Sequence, residues 1–284
     1  MSASQSASGS RPKPVRSLCE VLTYKKVGEY HSLTVVAPEI ADRARPGQFL
    51  HVSLGADKNC ILRRPFSIHE VGKRGSWAAT LEFVFDVVGK GTRSLAQVRP
   101  HDSLDIVGPL GRGFPLPKEA VSCLLVGGGY GVAPLLFLAE ELRGRGCRTD
   151  FLVGAARAGR ILKGIDAKRM ASSITFVTED GSQGEKGLAC EYLEDAMSRG
   201  HTDVVYACGP MGMLAAVARI CARAGVRCQV AVESLMACGV GVCGSCVIPV
   251  KDSGKDGGRG HARACVDGPV FPAETIRWDE VAGR

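Results

Sequence analysis

The sequence predicts a multidomain α+β protein: an antiparallel β-barrel, a parallel α/β domain of Rossmann-like type, and a small C-terminal domain built around cysteines. The length of 284 residues suits two compact domains and a third, smaller one. Short alternating strands fill the first third, strands alternate with helices in the middle, and clustered cysteines mark the end. The expected parts are a tail at 1–14, the barrel at 15–114, the α/β domain at 115–230 and the cysteine domain at 231–284.

The composition excludes several classes of function. The net charge of +7 is concentrated in the N-terminal tail and in the segment from Lys251 to Arg263, and no basic face emerges that would bind nucleic acid. No segment reaches the roughly 18 consecutive apolar residues of a membrane-spanning helix. We therefore expect a soluble, cytoplasmic protein. The stretch from Lys251 to His261, rich in Gly and charge, is expected to be a solvated loop.

The tail at 1–14 is rich in Ser, Ala, Gly and Pro, with almost no apolar bulk. Such a segment cannot offset its own ordering entropy, so we expect it to be disordered. A basic, Ser-rich, acid-free segment also fits a transit peptide, although this one is short and has no amphipathic helix pattern.

From Val15 to about Arg112, β-branched and apolar residues alternate in short runs between Gly and Pro, which predicts the barrel. The expected strands are Ser32 to Ala37, Gln48 to Leu54, Thr80 to Val88 and Ser103 to Val107. Three signatures lie among them: Arg63-Arg64-Pro65-Phe66-Ser67-Ile68, Val88-Gly89-Lys90-Gly91-Thr92-Arg93-Ser94 and Gly108-Pro109-Leu110-Gly111-Arg112-Gly113-Phe114. A Gly-x-Gly-Thr that opens a helix suits a pyrophosphate, and an arginine adds bidentate phosphate binding. Each signature also fits a plain turn.

The next segment predicts a parallel sheet covered on both faces. Its strands are expected at Val121 to Val126, Asp150 to Val153, Ile174 to Thr178, Val204 to Ala207 and Gln229 to Val232, and its helices at Leu135 to Leu142, Leu188 to Met197 and Met213 to Ala224. A turn of four glycines follows the first strand, and Cys208-Gly209-Pro210 follows the fourth. Because nucleotides bind beyond the carboxyl ends of such strands, the two turns predict a nucleotide cleft. Arg157, after the second strand, is a candidate for the 2'-phosphate of NADPH.

The C-terminal cysteines have the spacing of iron-sulfur ligands. Cys238, Cys243 and Cys246 form C-x4-C-x2-C, and Cys265 follows at a distance, which is the plant-type pattern of a 2Fe-2S cluster. Interspersed glycines permit positive φ and close approach of N–H groups to sulfur. Structural zinc usually uses two Cys-x-x-Cys pairs, and disulfides are disfavoured in a reducing compartment. We expect seven others to be small, inert hydrophobes: Cys19, Cys60, Cys123, Cys147, Cys190, Cys221 and Cys228.

With these motifs the chain resembles the ferredoxin-NADP reductase superfamily, in which an FAD-binding barrel precedes a NAD(P)-binding α/β domain. Within it, the chain resembles the electron transfer subunits of dihydroorotate dehydrogenase over roughly residues 15 to 281. The segments from Glu233 to Gly241 and from Cys265 to Phe271 carry this narrower resemblance. It implies FAD, NAD and a 2Fe-2S cluster as cofactors, and NADH rather than NADPH. It also implies an FMN-containing catalytic partner subunit, a heterotetramer and a role in pyrimidine biosynthesis.

The resemblance also implies roles for individual residues. Arg64-Pro65-Phe66-Ser67 is similar to the flavin motif Arg-x-Tyr-Ser, so that Arg64 would hold the FAD pyrophosphate, Phe66 would lie against the isoalloxazine and Ser67 would approach flavin N5. A second FAD phosphate contact falls on Gly89, Gly91 and Thr92. The nicotinamide-nucleotide site falls on Gly127, Gly128, Gly129, Gly131, Cys208, Gly209 and Pro210. Three departures from the family pattern are Phe66 in place of Tyr, Tyr130 in place of Thr or Ile, and Gly244-Ser245 between the last loop cysteines.

These cofactors predict an electron relay, in which a flavin links the two-electron donor NADH to a one-electron cluster. No catalytic acid or base is required, although Cys208 is expected near the nicotinamide. Since no region is left for an organic substrate, we expect a partner subunit that docks near the cluster loop. Two alternatives stay open at this point: an electron transfer subunit of another flavin or hydrogenase complex, and a non-catalytic iron-sulfur redox sensor.

Overall fold

The computed structural model describes residues 13–54, 61–74, 77–162, 170–251 and 259–281. Most of the predicted N-terminal tail and Cys60 lie outside these residues. The architecture confirms the predicted fold class, with a closed barrel, a mostly parallel sheet flanked by helices and a C-terminal cysteine-bearing segment. The predicted domain limits remain a prediction.

The barrel closes through six antiparallel strands in the order β1-β2-β5-β4-β3-β6. They are β1 (Val15–Val27), β2 (Tyr30–Val36), β3 (Phe49–Val52), β4 (Arg64–Arg74), β5 (Trp77–Phe85) and β6 (Ser103–Leu110). Helix α1 (Pro38–Ala41) follows β2, and helix α2 (Lys90–Leu95) follows β5. Alternation turns Leu81, Phe83 and Phe85 into the barrel, where burial of each ring or aliphatic chain stabilises the fold by about 1.5–3 kcal/mol.

The parallel sheet has its strand-order reversal at β7 (Ser122–Gly128). From there β8 (Arg148–Ala155), β9 (Ser173–Thr178) and β10 (Glu185–Lys186) extend to one side, and β11 (Val204–Cys208) and β12 (Arg227–Ala231) to the other. In doubly wound sheets, nucleotides bind at this reversal, beyond the carboxyl ends of the strands. The two predicted turns therefore lie at the expected position.

Helix packing follows the apolar pattern of each segment. Helices α3 (Val132–Gly144), α4 (Leu193–Gly200) and α5 (Met211–Ala224) cover the sheet. Helix α3 is buried on several sides because Phe137 reaches the barrel core while Leu138 packs with the sheet. The predicted helix from Leu188 to Met197 instead begins as a 3-10 turn and becomes α-helical only at Leu193.

The cysteine segment is joined to the sheet rather than separate from it. Its strand β15 (Val270–Pro272) pairs antiparallel with β12 and adds an edge to the otherwise parallel sheet. Strands β13 (Val247–Lys251) and β14 (Arg259–Arg263) form a hairpin, and α6 (Trp278–Val281) ends the described chain. The prediction of a solvated loop over Lys251 to His261 is wrong at both ends of that segment, because Lys251 belongs to β13 and residues 259–261 belong to β14. Residues 252–258 lie outside the described residues. No described helix is both long and apolar enough to cross a membrane.

Candidate functional site

Arg64 lies at the start of β4, beside the first turn of α2. Its Nη1 donates to the carbonyl oxygens of Leu62 and Arg63, at 2.8 and 3.2 Å. A Cβ built on Gly91 would lie 3.7 Å from Arg64 Nε and would overlap Leu54. The absence of a side chain at position 91 therefore lets the helix turn approach the guanidinium. The signatures at 63–68 and 88–94 therefore meet here, and they combine the guanidinium of Arg64 with main-chain N–H groups of the helix turn.

The α2 turn is open at Gly89, where a Cβ would meet no described atom within 4 Å. The Thr92 hydroxyl accepts the N–H groups of Val88 and Gly89, at 3.0 and 3.1 Å. Thr92 therefore acts as a cap that holds the turn in shape. This internal role, which the sequence did not predict, uses the N–H groups of Val88 and Gly89 and leaves those of the following helix turn as the principal donors.

Phe66 and Ser67 point to different sides of β4. The Phe66 ring stacks on Phe83 at 5.1 Å between centroids and is half-buried, whereas Ser67 is exposed. Two residues farther along, His69 is buried and its Nδ1 lies 2.9 Å from the Ala133 carbonyl oxygen at the start of α3. This contact fixes the flavin-motif strand against the helix that follows the glycine turn.

The other arginine of the motif, Arg63, points away from Arg64. Its Nη2 donates to Asp105 Oδ2 at 2.6 Å, and Arg16 donates to the same carboxylate at 2.8 Å. Hydrogen bonds from Arg16 and Arg63 lower the pKa of Asp105 to about 2. Arg63 thus has a structural role on the outer face of β6.

The glycine turn and the Cys208-Gly209-Pro210 turn are packed together at the carboxyl ends of β7 and β11. Gly127 and Cys208 are register partners. A Cβ on Gly131 would lie 2.5 Å from the Cys208 carbonyl oxygen, and one on Gly209 would lie 2.9 Å from the Gly128 nitrogen. A Cβ on Gly128 would also lie 2.8 Å from Pro210 Cδ. The main role of these glycines is therefore to let the two turns pack closely against each other.

Cys208 is half-buried behind this turn, near Glu233. Burial, with a smaller contribution from the Glu233 charge, raises the pKa of Cys208 to about 12, so its thiol is neutral at physiological pH. The Tyr130 hydroxyl donates to Glu233 Oε1 at 3.1 Å. Tyr130, a departure from the family pattern, thus connects the glycine turn to the beginning of the cysteine segment.

Arg157 is not free at the end of β8. Its Nε and Nη2 bind Glu29 Oε1 and Oε2 at 2.8 and 2.7 Å, and Arg160 Nε adds a bond to Oε2 at 2.9 Å. These arginines, Arg157 first, lower the pKa of Glu29. The candidate phosphate ligand is therefore already engaged by a carboxylate of the barrel.

The four predicted cluster ligands lie as two pairs of neighbouring residues. Backbone and side-chain hydrogen bonding links Cys243 to Cys238, and the Cys246 thiol lies against Cys265. Burial, then Cys246, raises the pKa of Cys265 to about 12. Among the described residues, no group of three or more His, Cys, Asp or Glu side chains lies close enough together to hold a metal ion. Two pairs of thiols match the ligand set of a 2Fe-2S cluster, which takes two sulfurs on each iron.

The loop that carries these thiols is shaped for an anionic centre. Cys238 Sγ accepts N–H groups from Val242 and Cys243, each at 3.4 Å. Ser245, the other departure from the family pattern, accepts the Ala237 N–H at 3.1 Å and lies 3.2 Å from Cys243 Sγ. N–H donors directed at sulfur stabilise thiolate ligands and tune the cluster potential.

His51 joins this loop to the barrel. It is 2% exposed on β3, and a Cβ on Gly239 would lie 2.7 Å from its Nδ1. Its Nε2 is buried without a hydrogen-bond partner among the described residues. Burial lowers the pKa of His51, which keeps the ring neutral. Its register partner on β4 is Pro65 of the flavin motif.

Sequence reasoning missed His51 and Glu29, and it included Glu233 in the cluster segment without giving it a role. His51 had a local signal, since a histidine within the apolar run Phe49–Val52 is unusual unless its face is covered by another element. Glu29 and Glu233 had none, because their partners Arg157 and Tyr130 are distant in sequence. The third barrel signature has a packing role: a Cβ on Gly111 would lie 2.6 Å from Pro269 of the cysteine segment.

A barrel with an arginine beside a helix turn, a parallel sheet with a glycine turn at its reversal, and two pairs of thiols define a flavoprotein reductase of the ferredoxin-NADP reductase type with an iron-sulfur segment. The solved structure of an NADH-dependent reduced ferredoxin-NADP oxidoreductase superposes with a TM-score of 0.80 at 28% identity, over 94% of this chain and 92% of the other. A ferredoxin NADP+ reductase from Neisseria gonorrhoeae with bound FAD and NADP shares the fold at a TM-score of 0.58 and 18% identity, over 74% and 92%.

Similar proteins of known family show which branch of this reductase class the chain belongs to. Residues 233–277 match the family model of the iron-sulfur cluster binding domain of dihydroorotate dehydrogenase B. The electron transfer subunit of dihydroorotate dehydrogenase B (NAD(+)) from Desulforamulus reducens is 39% identical over 243 residues, 86% of this chain and 90% of the relative. The same subunit from Caldanaerobacter subterraneus is 36% identical over 82% and 87%. This chain belongs to the family of dihydroorotate dehydrogenase B electron transfer subunits, which confirms the resemblance predicted from its motifs.

Proposed function

We propose that this protein is the NAD-linked oxidoreductase subunit that passes electrons between NADH and a separate dihydroorotate dehydrogenase catalytic subunit in pyrimidine biosynthesis. The observation that carries the proposal is the continuity of the three sites. The strand with the flavin motif is held through His69 to the helix that follows the glycine turn, and its partner strand contacts the cluster loop through His51. All three sites are therefore held by directly packed elements.

FAD fits the residues at β4 and α2. Arg64 and the N–H groups of the first turn of α2, after Gly89, would hold its diphosphate, because a planar guanidinium and main-chain donors both bind phosphate oxygens. Phe66 would offer a ring to the isoalloxazine, and exposed Ser67 would offer a hydroxyl. When bound, FAD supplies the conversion between the two-electron chemistry of NADH and the one-electron chemistry of the cluster.

The dinucleotide fits beyond the carboxyl ends of β7 and β11. Gly129 and Gly209 are half-buried at this edge, and the Cys208 thiol remains protonated beside the expected nicotinamide position. A neutral thiol neither repels nor attacks the ring. The role of this chain is therefore to orient the nicotinamide toward the flavin, without proton transfer by a side chain.

The 2Fe-2S cluster fits the four thiols of Cys238, Cys243, Cys246 and Cys265. The chain contributes the ligands, the N–H groups on Cys238 Sγ and the packing of Gly239 on His51. Because His51 is paired through β3 with the flavin-motif strand, the cluster loop packs directly on the sheet that carries the flavin site. A fixed separation is what efficient electron transfer requires of the protein.

A partner subunit is expected at the cluster loop, in a heterotetramer with the FMN-containing catalytic chain. Three apolar side chains are exposed on this loop: Leu235 at 88%, Val242 at 85% and Val240 at 47%. Exposed apolar side chains grouped on one loop are typical of interaction sites, and this loop would also bring the cluster close to the partner. We place the complex in the cytoplasm, where thiols stay reduced.

An anaerobic titration of the purified chain tests this function. We expect flavin and cluster absorption in one protein, bleaching of both by NADH, and oxidation of dihydroorotate only after the catalytic subunit is added. Oxidation of dihydroorotate by the chain alone would contradict the proposal. Cluster bands without flavin would instead favour the redox sensor.

A second candidate is electron transfer within another flavin or ferredoxin complex. The fit to an NADH-dependent reduced ferredoxin-NADP oxidoreductase over 94% of the chain favours it. The two candidates separate in a reconstitution: NADH oxidation should be coupled to the dihydroorotate dehydrogenase catalytic subunit in the first case and to ferredoxin alone in the second.

A further inference from the structure

The end of β8 is where this fold distinguishes NADH from NADPH. In doubly wound sheets, the adenosine ribose lies beyond the second strand of the nucleotide-binding unit, where an acidic residue accepts the 2'-hydroxyl or an arginine binds the 2'-phosphate. Strand β8 is parallel to β7 and next to it, and Arg157 is the second residue after β8. Arg160 is the last residue of the 3-10 turn that follows, Ala158–Arg160.

Both arginines are neutralised by carboxylates. Glu29 binds Arg157 through both oxygens, and its Oε2 also accepts Arg160 Nε. Arg160 Nη1 forms a further ion pair with Asp86. Glu29 and Asp86 thus bind the two guanidinium groups directly. A 2'-phosphate brought here would have to compete with Glu29 for Arg157 and would be repelled by the charge of Glu29, whereas a 2'-hydroxyl would not be repelled.

Glu29 is held in place by the backbone around it. Its N–H donates to the Gly159 carbonyl oxygen at 3.1 Å. A Cβ on Gly28 would lie 2.9 Å from that same oxygen, and a Cβ on Gly159 would lie 2.5 Å from Glu29 Oε1. The β1-β2 turn of the barrel is therefore fitted closely against the β8 loop. The pair remains accessible, since the Arg157 and Glu29 side chains are 54% and 33% exposed.

We propose that Glu29, a residue of the flavin barrel, determines the preference for NADH by occupying Arg157 and Arg160 and by placing negative charge where the 2'-phosphate of NADPH would bind. The inference rests on the proposed function in that the dinucleotide must bind at this sheet edge. It assigns selectivity to a contact between the barrel and the α/β domain rather than to a residue of the α/β domain alone.

The test compares wild type, Glu29→Gln and Glu29→Gln/Arg157→Ala as FAD- and cluster-loaded proteins. Glutamine keeps the size of the side chain and removes its charge, which frees Arg157 for bidentate binding of phosphate. We expect the ratio of kcat/KM for NADPH over NADH to rise about tenfold in Glu29→Gln, equivalent to about 1.4 kcal/mol. The ratio should return to the wild-type value in the double variant. Glu194→Gln is the matched control, because it also removes the charge of a carboxylate that pairs with an arginine. That pair, Glu194 with Arg223, joins α4 to α5 and not the barrel to the β8 loop.

Binding of 2',5'-ADP and 5'-AMP to the oxidised proteins, measured by calorimetry, gives a readout that does not depend on turnover. Glu29→Gln should gain affinity for 2',5'-ADP only. An unchanged ratio and unchanged 2',5'-ADP affinity in a folded, flavin-loaded Glu29→Gln protein would overturn the proposal. So would a gain that persists after removal of Arg157. If NADH fails to bleach the wild-type flavin, the proposed function fails instead, and the two ligand affinities still decide the role of Glu29.

Discussion

His51 and Gly239 are in contact across the junction between the barrel and the cluster loop. Gly239 has φ of +70°, and its missing Cβ is what allows the main chain to lie on the imidazole. Gly244, on the same loop, has φ of +71° but open space where its Cβ would be. A side chain at Gly244 would therefore cost only the strain of its positive φ, whereas a side chain at Gly239 would add a packing clash.

We expect Gly239→Ala to lose its cluster faster than Gly244→Ala. Both substitutions carry a left-handed strain of about 1–2 kcal/mol. Only the first adds a clash with His51, and overpacking of about 1–3 kcal/mol corresponds to roughly five- to hundredfold faster loss. Decay of the visible cluster absorption under a chelator measures this. Adding His51→Ala to Gly239→Ala should remove the difference; equal decay of the two single variants would refute the contact.

Arg64→Ala should be purified with substoichiometric FAD and a full complement of iron. Charge-assisted hydrogen bonds are worth about 1.5–3 kcal/mol, so FAD affinity should fall roughly ten- to hundredfold. Arg64→Lys should also lose affinity, since an ammonium cannot reproduce bidentate binding. Flavin and iron are quantified on the same sample.

Arg63→Ala is the matched control for Arg64. Because Arg63 binds Asp105 on β6, its removal should lower the melting temperature while FAD is retained. The opposite pattern, with flavin lost from Arg63→Ala and kept by Arg64→Ala, would show that the motif is assigned one residue out of register.

Replacement of any of Cys238, Cys243, Cys246 or Cys265 by Ser should abolish the cluster signal while FAD remains bound by the barrel. NADH should still bleach the flavin in these variants, because the flavin precedes the cluster in the relay. Cys190→Ser is the control, since this half-buried thiol lies in the 3-10 turn before α4. A folded ligand variant whose flavin resists NADH would mean that the proposed order is wrong.

The sequence was informative where chemistry depends on local spacing. The C-x4-C-x2-C pattern and the two turns after β7 and β11 identified groups of residues that do come together, because the loop and the strand ends are each set by nearby residues. Contacts between distant segments had no such signal. The bond of Glu29 to Arg157 and the contact of His51 with Gly239 arise only when the barrel docks on the sheet. The β13-β14 hairpin was missed because Gly and charged residues obscure its alternation.

Flavin reduction by NADH should show no ionisation of Cys208 between pH 6 and 10. Burial raises the pKa of Cys208 to about 12, so the thiol stays protonated throughout this range and would ionise only above it. Stopped-flow bleaching rates of wild type and Cys208→Ala should differ in size but have the same pH dependence. A step near pH 8 to 9 that is present in wild type and absent from Cys208→Ala would contradict a thiol that stays protonated.

Val242→Asp should weaken assembly with the catalytic subunit without loss of either cofactor. The side chain is 85% exposed, so the substitution costs little in the isolated chain, but docking would bury an unpaired carboxylate. A penalty of about 2 kcal/mol or more corresponds to at least roughly thirtyfold weaker binding. Leu188→Asp is the control, since Leu188 is 54% exposed beside β10, at the opposite edge of the sheet from β15. Co-purification and calorimetry measure assembly. Equal binding by both variants would exclude the cluster loop as the docking surface, because the loop presents Val242 beside two of the four ligand thiols.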